Sequence, residues 1–180
     1  MSVAEEVLAL YARHGGGAYF GERVTMREYG LQAAHFARLQ GADDSLVLAA
    51  LLHDIGHLLE EAPADIADWK SDARHEESGA RWLAQHFGPE VSEPVRLHVP
   101  AKRYLCAVDP EYVRALSSAS VHTLGLQGGP MQAEELARFE AEPHYRAALW
   151  VRRCDDLGKL ANMQTEPLES YVPLIERLAR

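Results

Sequence analysis

The spacing of the apolar residues constrains the fold of this chain more than any other feature. They recur every three or four positions, as they do along one face of a helix, and the alternation of β-branched and polar residues that is typical of strands is almost absent. Glycine or proline interrupts the pattern at residues 15–17, 41, 88–89 and 110. The sequence therefore predicts an all-α bundle. We interpret residues 1–180 as a single domain because no repeat or linker divides them.

The same signals predict the positions of the helices. We expect helices over residues 3–14, 25–40, 75–87, 132–141, 144–161 and 167–179, a further helix that begins at Asp109-Pro110, and one that Asp44 or Ser45 caps and that carries residues 50–59. Thr25 and Glu28 form the capping-box pattern that begins a helix, and Pro110 suits a first helical position.

The composition excludes several classes of function. A net charge of −9 argues against a broad nucleic-acid surface, which needs clustered Lys and Arg. No apolar run approaches the roughly 20 residues that a membrane-spanning helix needs, and the acidic N-terminal stretch does not resemble a signal peptide. Cys106 and Cys154 do not form a disulfide framework, so we expect a protein of the reducing cytoplasm. The sequence does not indicate an oligomeric state.

Residues 50–59, ALLHDIGHLL, place three ionisable side chains inside an apolar stretch. Burying His53, Asp54 and His57 there is costly unless a partner or a metal ion compensates for the lost hydration. Neighbouring residues on a helix point about 100° apart, so His53 and Asp54 can flank one centre, with His57 one turn beyond. An imidazole beside a carboxylate suits a divalent transition metal. A buried His–Asp pair joined by a hydrogen bond is the alternative interpretation.

Further residues of the metal-binding type lie on separate predicted helices or at their ends. They are His75 in DARHEESGA, His98 in VRLHVPAK and Asp155 in WVRRCDDLGKL. Each of them alone is more often a surface residue or a core residue with a satisfied hydrogen bond. Helical bundles build metal sites from side chains of several facing helices, so the distribution is compatible with a metal site in the core.

The order of these residues resembles that of the HD-domain superfamily of metal-dependent enzymes, in the version that binds two metal ions. Shorter stretches resemble one branch of it, the mixed-valent di-iron oxygenases that cleave the carbon–phosphorus bond of 1-hydroxyphosphonates. These stretches are YFGERVT, LQAA, HDIGH, HVPAK, LGLQGGPM and RRCDDLGK. The resemblance covers nearly the whole chain and implies an all-α, HD-domain helical bundle with its metal site in the core.

The resemblance also implies a set of metal ligands. Five residues match iron ligands of that branch: His53, Asp54, His75, His98 and Asp155. Asp54 matches the carboxylate that bridges two ions, since its second oxygen can reach another metal. The cofactor implied is a pair of iron ions in the Fe(II)/Fe(III) state, with O2 as co-substrate.

Six other residues match positions near the substrate: Tyr19, Glu22, His57, Lys102, Ser120 and Arg152. The last three match groups that hold the phosphonate. Their chemistry suits this role, since the guanidinium of arginine offers paired N–H donors to the phosphonate oxygens, lysine a single ammonium charge and serine a hydroxyl donor on a short side chain. The alternative for Lys102 and Arg152 is a solvated surface charge. Glu22 matches a residue that faces an amino or ammonium group. Tyr19 matches a tyrosine that occupies an iron position until substrate displaces it, and His57, Lys102 and Tyr19 are candidate catalytic residues.

Tyr29 departs from the pattern. The first histidine ligand should lie seven residues after Glu22, where this chain has Tyr29. His35, six residues further on, lies roughly 120° around the helix and cannot replace it without a rearrangement. Three interpretations remain open. Tyr29 binds iron as a phenolate, or it leaves one iron weakened or absent, or it packs in a divergent and inactive site.

We therefore expect an iron- and O2-dependent oxygenase. It would cleave the C–P bond of a small 1-hydroxyphosphonate, of the 2-amino- or 2-trimethylammonio-1-hydroxyethyl type, into phosphate and a carboxylic acid. Glu22 favours the cationic substituent because a carboxylate attracts positive charge. A metal-dependent phosphohydrolase is one alternative, which would hold a phosphate ester with the same basic residues and would not need O2. A divergent phosphonate-binding protein without turnover is the other.

Overall fold

The computed structural model describes residues 1–59 and 74–180. Within these ranges the chain forms eleven α-helices: α1 (Val3–His14), α2 (Met26–Leu39), α3 (Asp44–Leu52), α4 (Ile55–Leu59), α5 (His75–Leu83), α6 (Pro89–Val108), α7 (Pro110–Ala115), α8 (Ser118–Leu126), α9 (Ala133–Glu140), α10 (Tyr145–Leu157) and α11 (Val172–Leu178). A 3-10 turn precedes α11 at Leu168–Tyr171. The all-α prediction is confirmed. Among these helices, none combines the length and the apolar character that crossing a membrane requires.

Helix α3 lies at the centre of the fold. Its residues from Val47 to Leu52 are all buried, and α2, α6 and α10 pack around it. A helix that is apolar on every side is stable only when other elements surround it, because burial of apolar surface is the main favourable term in folding. Helix α5 packs on α4 and α6, so the elements that carry the predicted metal ligands are neighbours around α3.

The capping signals are mostly as predicted. Thr25 Oγ1 accepts a hydrogen bond from the backbone N–H of Glu28, whose carboxylate accepts one from the N–H of Thr25 at 2.7 Å. The predicted cap of α3 is wrong. Asp43, rather than Asp44 or Ser45, caps this helix, with its carboxylate accepting from the N–H of Leu46 at 2.9 Å.

The prediction that one helix runs through residues 50–59 is also wrong. Helix α3 ends at Leu52, and α4 begins only at Ile55, so His53 and Asp54 occupy the junction between them. The N–H of His57 bonds to the carbonyl of Asp54 at 3.0 Å, which begins the second helix on a tighter turn. Gly56 allows α5 to approach this junction, because a Cβ atom there would lie 2.0 Å from the carbonyl oxygen of His75.

Helix α6 is 20 residues long and carries His98, but the sequence analysis gives no bounds for a helix there. Pro94 and Pro100 lie inside it, and both are of the residue type that usually ends a helix. Each removes one backbone hydrogen bond. A buried face that includes Val95, His98 and Leu105 keeps the helix continuous, because tertiary packing outweighs local propensity. Helix α8, in the Ser-rich stretch, is likewise absent from the predictions.

The loop before α2 is held by backbone hydrogen bonds. The N–H of Glu22 bonds to the carbonyl of Tyr19 at 2.6 Å, and the N–H of Tyr19 bonds to the carbonyl of Val24 at 2.8 Å. Gly21, the third residue of the Tyr19–Glu22 turn, has φ = 82°, a conformation that glycine adopts without strain. The turn fixes Tyr19 and Glu22 relative to each other above the core.

Candidate metal centre

Three nitrogen and oxygen atoms meet in a small triangle in the core. Oδ1 of Asp54 lies 3.1 Å from Nε2 of His75 and 3.4 Å from Nε2 of His98, and the two nitrogens are 3.2 Å apart. Ligand atoms at about 2.0–2.2 Å from one metal ion lie roughly 3.0–3.5 Å from each other. The three residues, from the α3–α4 junction, α5 and α6, can therefore hold one ion.

A second group of atoms faces the other oxygen of Asp54. Nε2 of His53 lies 3.6 Å from Oδ2 of Asp54 and 3.9 Å from Oδ1 of Asp155 on α10. All three atoms are buried, and none has a hydrogen-bond partner among the described residues. Unpaired buried polar atoms are costly, and a cation among them would compensate. The arrangement fits a second ion, with Asp54 between the two.

The orientation of two imidazoles is fixed by the helices that carry them. Nδ1 of His53 lies 2.8 Å from the carbonyl oxygen of Ala50, and Nδ1 of His98 lies 2.7 Å from that of Val95. Since a carbonyl oxygen only accepts, each Nδ1 carries the proton and each Nε2 presents its lone pair to the centre. Metal-binding histidines are usually held in this way.

The electrostatics favour an ionised Asp54 and neutral imidazoles at His53 and His57. Burial alone would raise the pKa of Asp54, but the neighbouring imidazoles of His53 and His75 and hydrogen bonds from His75 and His98 outweigh it and hold this pKa well below its usual value. Burial lowers the pKa of His53 to about 4 and that of His57 well below the ordinary range. Metal ions bind the neutral imidazole and the ionised carboxylate, so these are the protonation states that a cation needs.

Glu76 is a member of this region that the sequence analysis does not include. Its side chain is buried on α5, and Oε2 lies 3.6 Å from Nδ1 of His75. A carboxylate beside the outer nitrogen of a metal-binding histidine increases the basicity of the ring. Its position directly after His75 in the sequence is the only signal for this role.

Tyr29 lies on the His53 side of the centre. Its ring is fully buried, 5.0 Å from the ring of His53, and it stacks on the ring of Tyr19 at 3.9 Å. Burial, together with the charges of Asp54 and Asp155, raises the pKa of Tyr19 well above its usual value, so this phenol stays neutral. His35 is half-buried against Phe36 on α2.

A cavity of about 30 Å³ adjoins the centre, and the side chains that line it come from both ends of the chain. All six predicted substrate-facing residues line it: Tyr19, Glu22, His57, Lys102, Ser120 and Arg152. Asp54, His75, His98 and Asp155 also line it, and Thr123 of α8 and Gln127, directly after that helix, add two polar groups that the sequence analysis does not include. His57 stacks on His75, with ring centroids 3.9 Å apart.

Lys102 is buried beside this cavity. Its ammonium donates a hydrogen bond to Oγ1 of Thr123 at 2.8 Å. Burial, followed by the positive charges of Arg152 and Lys159, lowers the pKa of Lys102 to about 7. A lysine held in this state gains its full charge when an anion binds next to it.

Arg152 is held by three partners. Its guanidinium lies 2.5 Å from Oδ2 of Asp155, pairs with Asp156, and donates through Nε to the hydroxyl of Tyr112 at 2.9 Å. Tyr112 in turn donates to Asp156 at 2.6 Å. Asp156 and Tyr112 thus fix a buried arginine at the cavity wall, and the distance of 40 residues between Tyr112 and Arg152 hides this contact from sequence patterns.

Glu22 and Ser120 share a partner that the sequence analysis does not include. Nζ of Lys159 lies 2.9 Å from Oγ of Ser120 and 3.6 Å from Oε1 of Glu22. The hydroxyl of Ser117 also donates to Glu22, at 2.6 Å. Lys159 is the last residue of RRCDDLGK, four positions after Asp155, so its place in that stretch was a usable signal.

Comparison with known proteins agrees with this geometry. The family model described as HD domain matches residues 24–169. The chain is 44% identical over 177 residues to the [1-hydroxy-2-(trimethylamino)ethyl]phosphonate dioxygenase (glycine-betaine-forming) of Leisingera caerulea, covering 98% of this chain and 90% of that protein. It is 43% identical over 162 residues to the hydroxymethylphosphonate dioxygenase of Gimesia maris, covering 89% and 81%.

An uncharacterized protein of Acanthamoeba polyphaga mimivirus is 36% identical over 167 residues, which are 92% of this chain and 76% of that protein. Each of these likenesses extends over the segments that carry the two groups of atoms around Asp54. The chain belongs to the HD-domain family.

Proposed function

We propose that the protein is an iron-dependent dioxygenase that cleaves the C–P bond of a small 1-hydroxyphosphonate. The observation that carries the proposal is the arrangement around Asp54. One carboxylate separates two groups of buried ligand atoms, and a cavity lined by buried cations opens directly above them. The relatives named as phosphonate dioxygenases support the reaction class.

Two iron ions are the proposed cofactor. His75 and His98 would hold one ion and His53 and Asp155 the other, with Asp54 shared between them. When bound, the iron pair supplies the redox chemistry that activates O2. Tyr29 leaves the ion on the His53 side with one imidazole fewer than the family pattern, and metal analysis of the loaded protein gives the number of ions held.

The cavity residues bind and orient the substrate. Lys102 and Arg152 offer charged donors to the phosphonate oxygens, and Ser120 offers a hydroxyl donor. Asp156 and Tyr112 hold the guanidinium of Arg152 in place, so little of its freedom is lost when substrate binds. Tyr19 covers the centre as a neutral phenol and excludes water until the substrate displaces it.

The proposed reaction balances without an external reductant. One 1-hydroxyphosphonate dianion and one O2 give a carboxylate, a hydrogen phosphate dianion and one proton. The C–P bond breaks, the carbon is oxidised to the carboxylate, and the two oxygen atoms gained by the products come from O2.

The test is phosphate release from 1-hydroxyphosphonates by protein loaded anaerobically with Fe(II), with and without O2. We expect phosphate in equal amount to the O2 consumed, and none without O2. Iron-loaded protein that releases no phosphate from any member of the panel would contradict the proposal. Release of phosphate from phosphate esters without O2, with Mn²⁺ as the ion, would favour a phosphohydrolase instead.

Lys102→Met tests the phosphonate-binding role of the buried lysine. We expect KM for the phosphonate to rise roughly ten- to hundredfold, because a charged hydrogen bond is worth about 1.5–3 kcal/mol, while the metal content stays unchanged. The control is Arg103→Met, which removes the next cation on α6, bound to Glu135 and outside the cavity lining. An unchanged KM in the Lys102 variant would place the phosphonate elsewhere.

The lowered pKa of Lys102 predicts a proton uptake on binding. With a pKa of about 7, the amine is mostly neutral at pH 8, and a bound phosphonate raises the pKa and draws a proton from solution. At pH 6 the amine is already charged and the uptake vanishes. Calorimetry at pH 8 in two buffers of different ionisation enthalpy measures the uptake. The number of protons taken up by the parent protein should exceed the number taken up by Lys102→Met by nearly one. Equal proton uptake by the two proteins would refute the prediction.

A further inference from the structure

Resting on the proposed function, we infer that the ammonium of Lys159 occupies the place of the substrate's cationic substituent at Glu22. Lys159 therefore competes with that substituent, and it sets the preference of the pocket between 1-hydroxyphosphonates with a cationic substituent and those without one. Lys159 belongs neither to the metal ligands nor to the residues that the sequence resemblance connects with the substrate.

The surroundings of Nζ of Lys159 are those of an ammonium-binding site. Oε1 of Glu22 lies 3.6 Å away, and the ring centroid of Tyr29 lies 5.9 Å away. A carboxylate and an aromatic face together are the groups that recognise ammonium and quaternary ammonium ligands. The side chains of Lys159 and Glu22 are each 14% exposed, so water screens this pair much less than it screens a surface ion pair.

The site also lies at the right place for a substituent of the substrate. Nζ of Lys159 donates to Oγ of Ser120 at 2.9 Å, and Ser120 and Glu22 both line the cavity above the metal centre. A phosphonate held by Ser120 would have its remaining substituent next to Glu22 and Tyr29. The ammonium of Lys159 already lies beside Oε1 of Glu22, so a cationic group of the substrate can take that place only when the lysine moves away.

Lys159 is able to leave because of its position in the chain. It follows Gly158, after the end of α10 at Leu157, and its side chain has four rotatable bonds. A substrate without a cationic substituent, such as hydroxymethylphosphonate, leaves the Lys159–Glu22 pair intact. A trimethylammonio substrate replaces the lysine at Glu22 and must compensate for the loss of that pair.

The experiment compares Lys159→Met with the parent protein. Dissociation constants for hydroxymethylphosphonate and for 1-hydroxy-2-(trimethylamino)ethylphosphonate are measured by calorimetry, anaerobically and with iron bound. We expect the ratio of the two constants to shift at least tenfold in favour of the cationic compound, with the constant for hydroxymethylphosphonate changing much less. Circular dichroism checks that the variant is folded.

Two further variants connect the effect to Glu22. Glu22→Gln should shift the ratio in the opposite direction, and Lys159→Met should cause no further shift when it is combined with Glu22→Gln. Lys159→Arg retains the positive charge and should retain most of the parent's preference.

Other outcomes would overturn the inference. Equal weakening of both compounds in Lys159→Met would mean that the lysine holds the phosphonate itself. An unchanged ratio would leave Lys159 with a purely structural role. If neither compound binds to the iron-loaded parent protein, the proposed function fails and the inference fails with it. This outcome is seen in the parent protein, whereas the two outcomes above are seen only in Lys159→Met.

Discussion

Replacing Asp54 with alanine is expected to remove both metal ions, reducing the bound metal to roughly a tenth of the parent's content or less. Oδ1 of Asp54 contributes to the triangle with His75 and His98, and Oδ2 faces His53 and Asp155. No other described carboxylate faces both groups, so the loss is not confined to one ion. Metal analysis after loading with Fe(II) and gel filtration measures the content.

The matched control is Asp44→Ala. Asp44 is the first residue of α3, the helix that ends just before His53 and Asp54, but its side chain is 58% exposed and pairs with Arg177 at the surface. Surface ion pairs contribute little to stability, so this variant should bind the same amount of metal as the parent. Full metal content in Asp54→Ala would refute the assignment of the centre.

Replacing Gly56 with alanine is expected to lower the free energy of unfolding by about 3 kcal/mol or more, at the upper end of what overpacking costs. The added Cβ would lie 2.0 Å from the carbonyl oxygen of His75 and 2.9 Å from Oγ of Ser78. The carbonyl belongs to the backbone, so α5 has to move away from α4. Because His75 begins α5, the same movement should also weaken metal binding. Urea unfolding with a chelator present separates the loss of stability from the loss of metal.

Gly125→Ala is the corresponding control. Gly125 lies inside α8, and a Cβ atom there would meet nothing within 4 Å. Since alanine favours the helix by up to about 1 kcal/mol over glycine, this variant should be as stable as the parent or slightly more stable. Equal stability of the Gly56 and Gly125 variants would contradict the close packing of α5 against α4.

The sequence predicted the fold class because the helical period of the apolar residues is repeated along the chain. It failed where tertiary packing overrides a local signal. Pro94 and Pro100 lie within one continuous helix, whose buried face compensates for two missing hydrogen bonds. The break at His53 and Asp54 shows the reverse case, since the stretch divides into two helices at a point where neither glycine nor proline stands.

The members of the candidate site were predictable to different degrees. The five proposed metal ligands follow a pattern of residue type and order, and the structure brings them together. Lys159 and Glu76 have only a weak signal, their position next to residues of the pattern, and the pair Tyr112–Asp156 has none, because that contact depends on how α7 lies against α10. A residue that holds another side chain in place is recognised by the short distance between the two in the folded protein. That distance cannot be read from their positions in the sequence.

The turn formed by Tyr19 to Glu22 couples the two ends of a bound substrate. Tyr19 stands over the centre, Glu22 stands at the substituent end of the cavity, and a hydrogen bond of 2.6 Å between their backbones joins them across Gly21. Under the proposed function, a substrate that displaces the phenol would therefore also shift the backbone that carries Glu22. Binding at the metal centre and recognition of the substituent would then depend on the same four-residue turn.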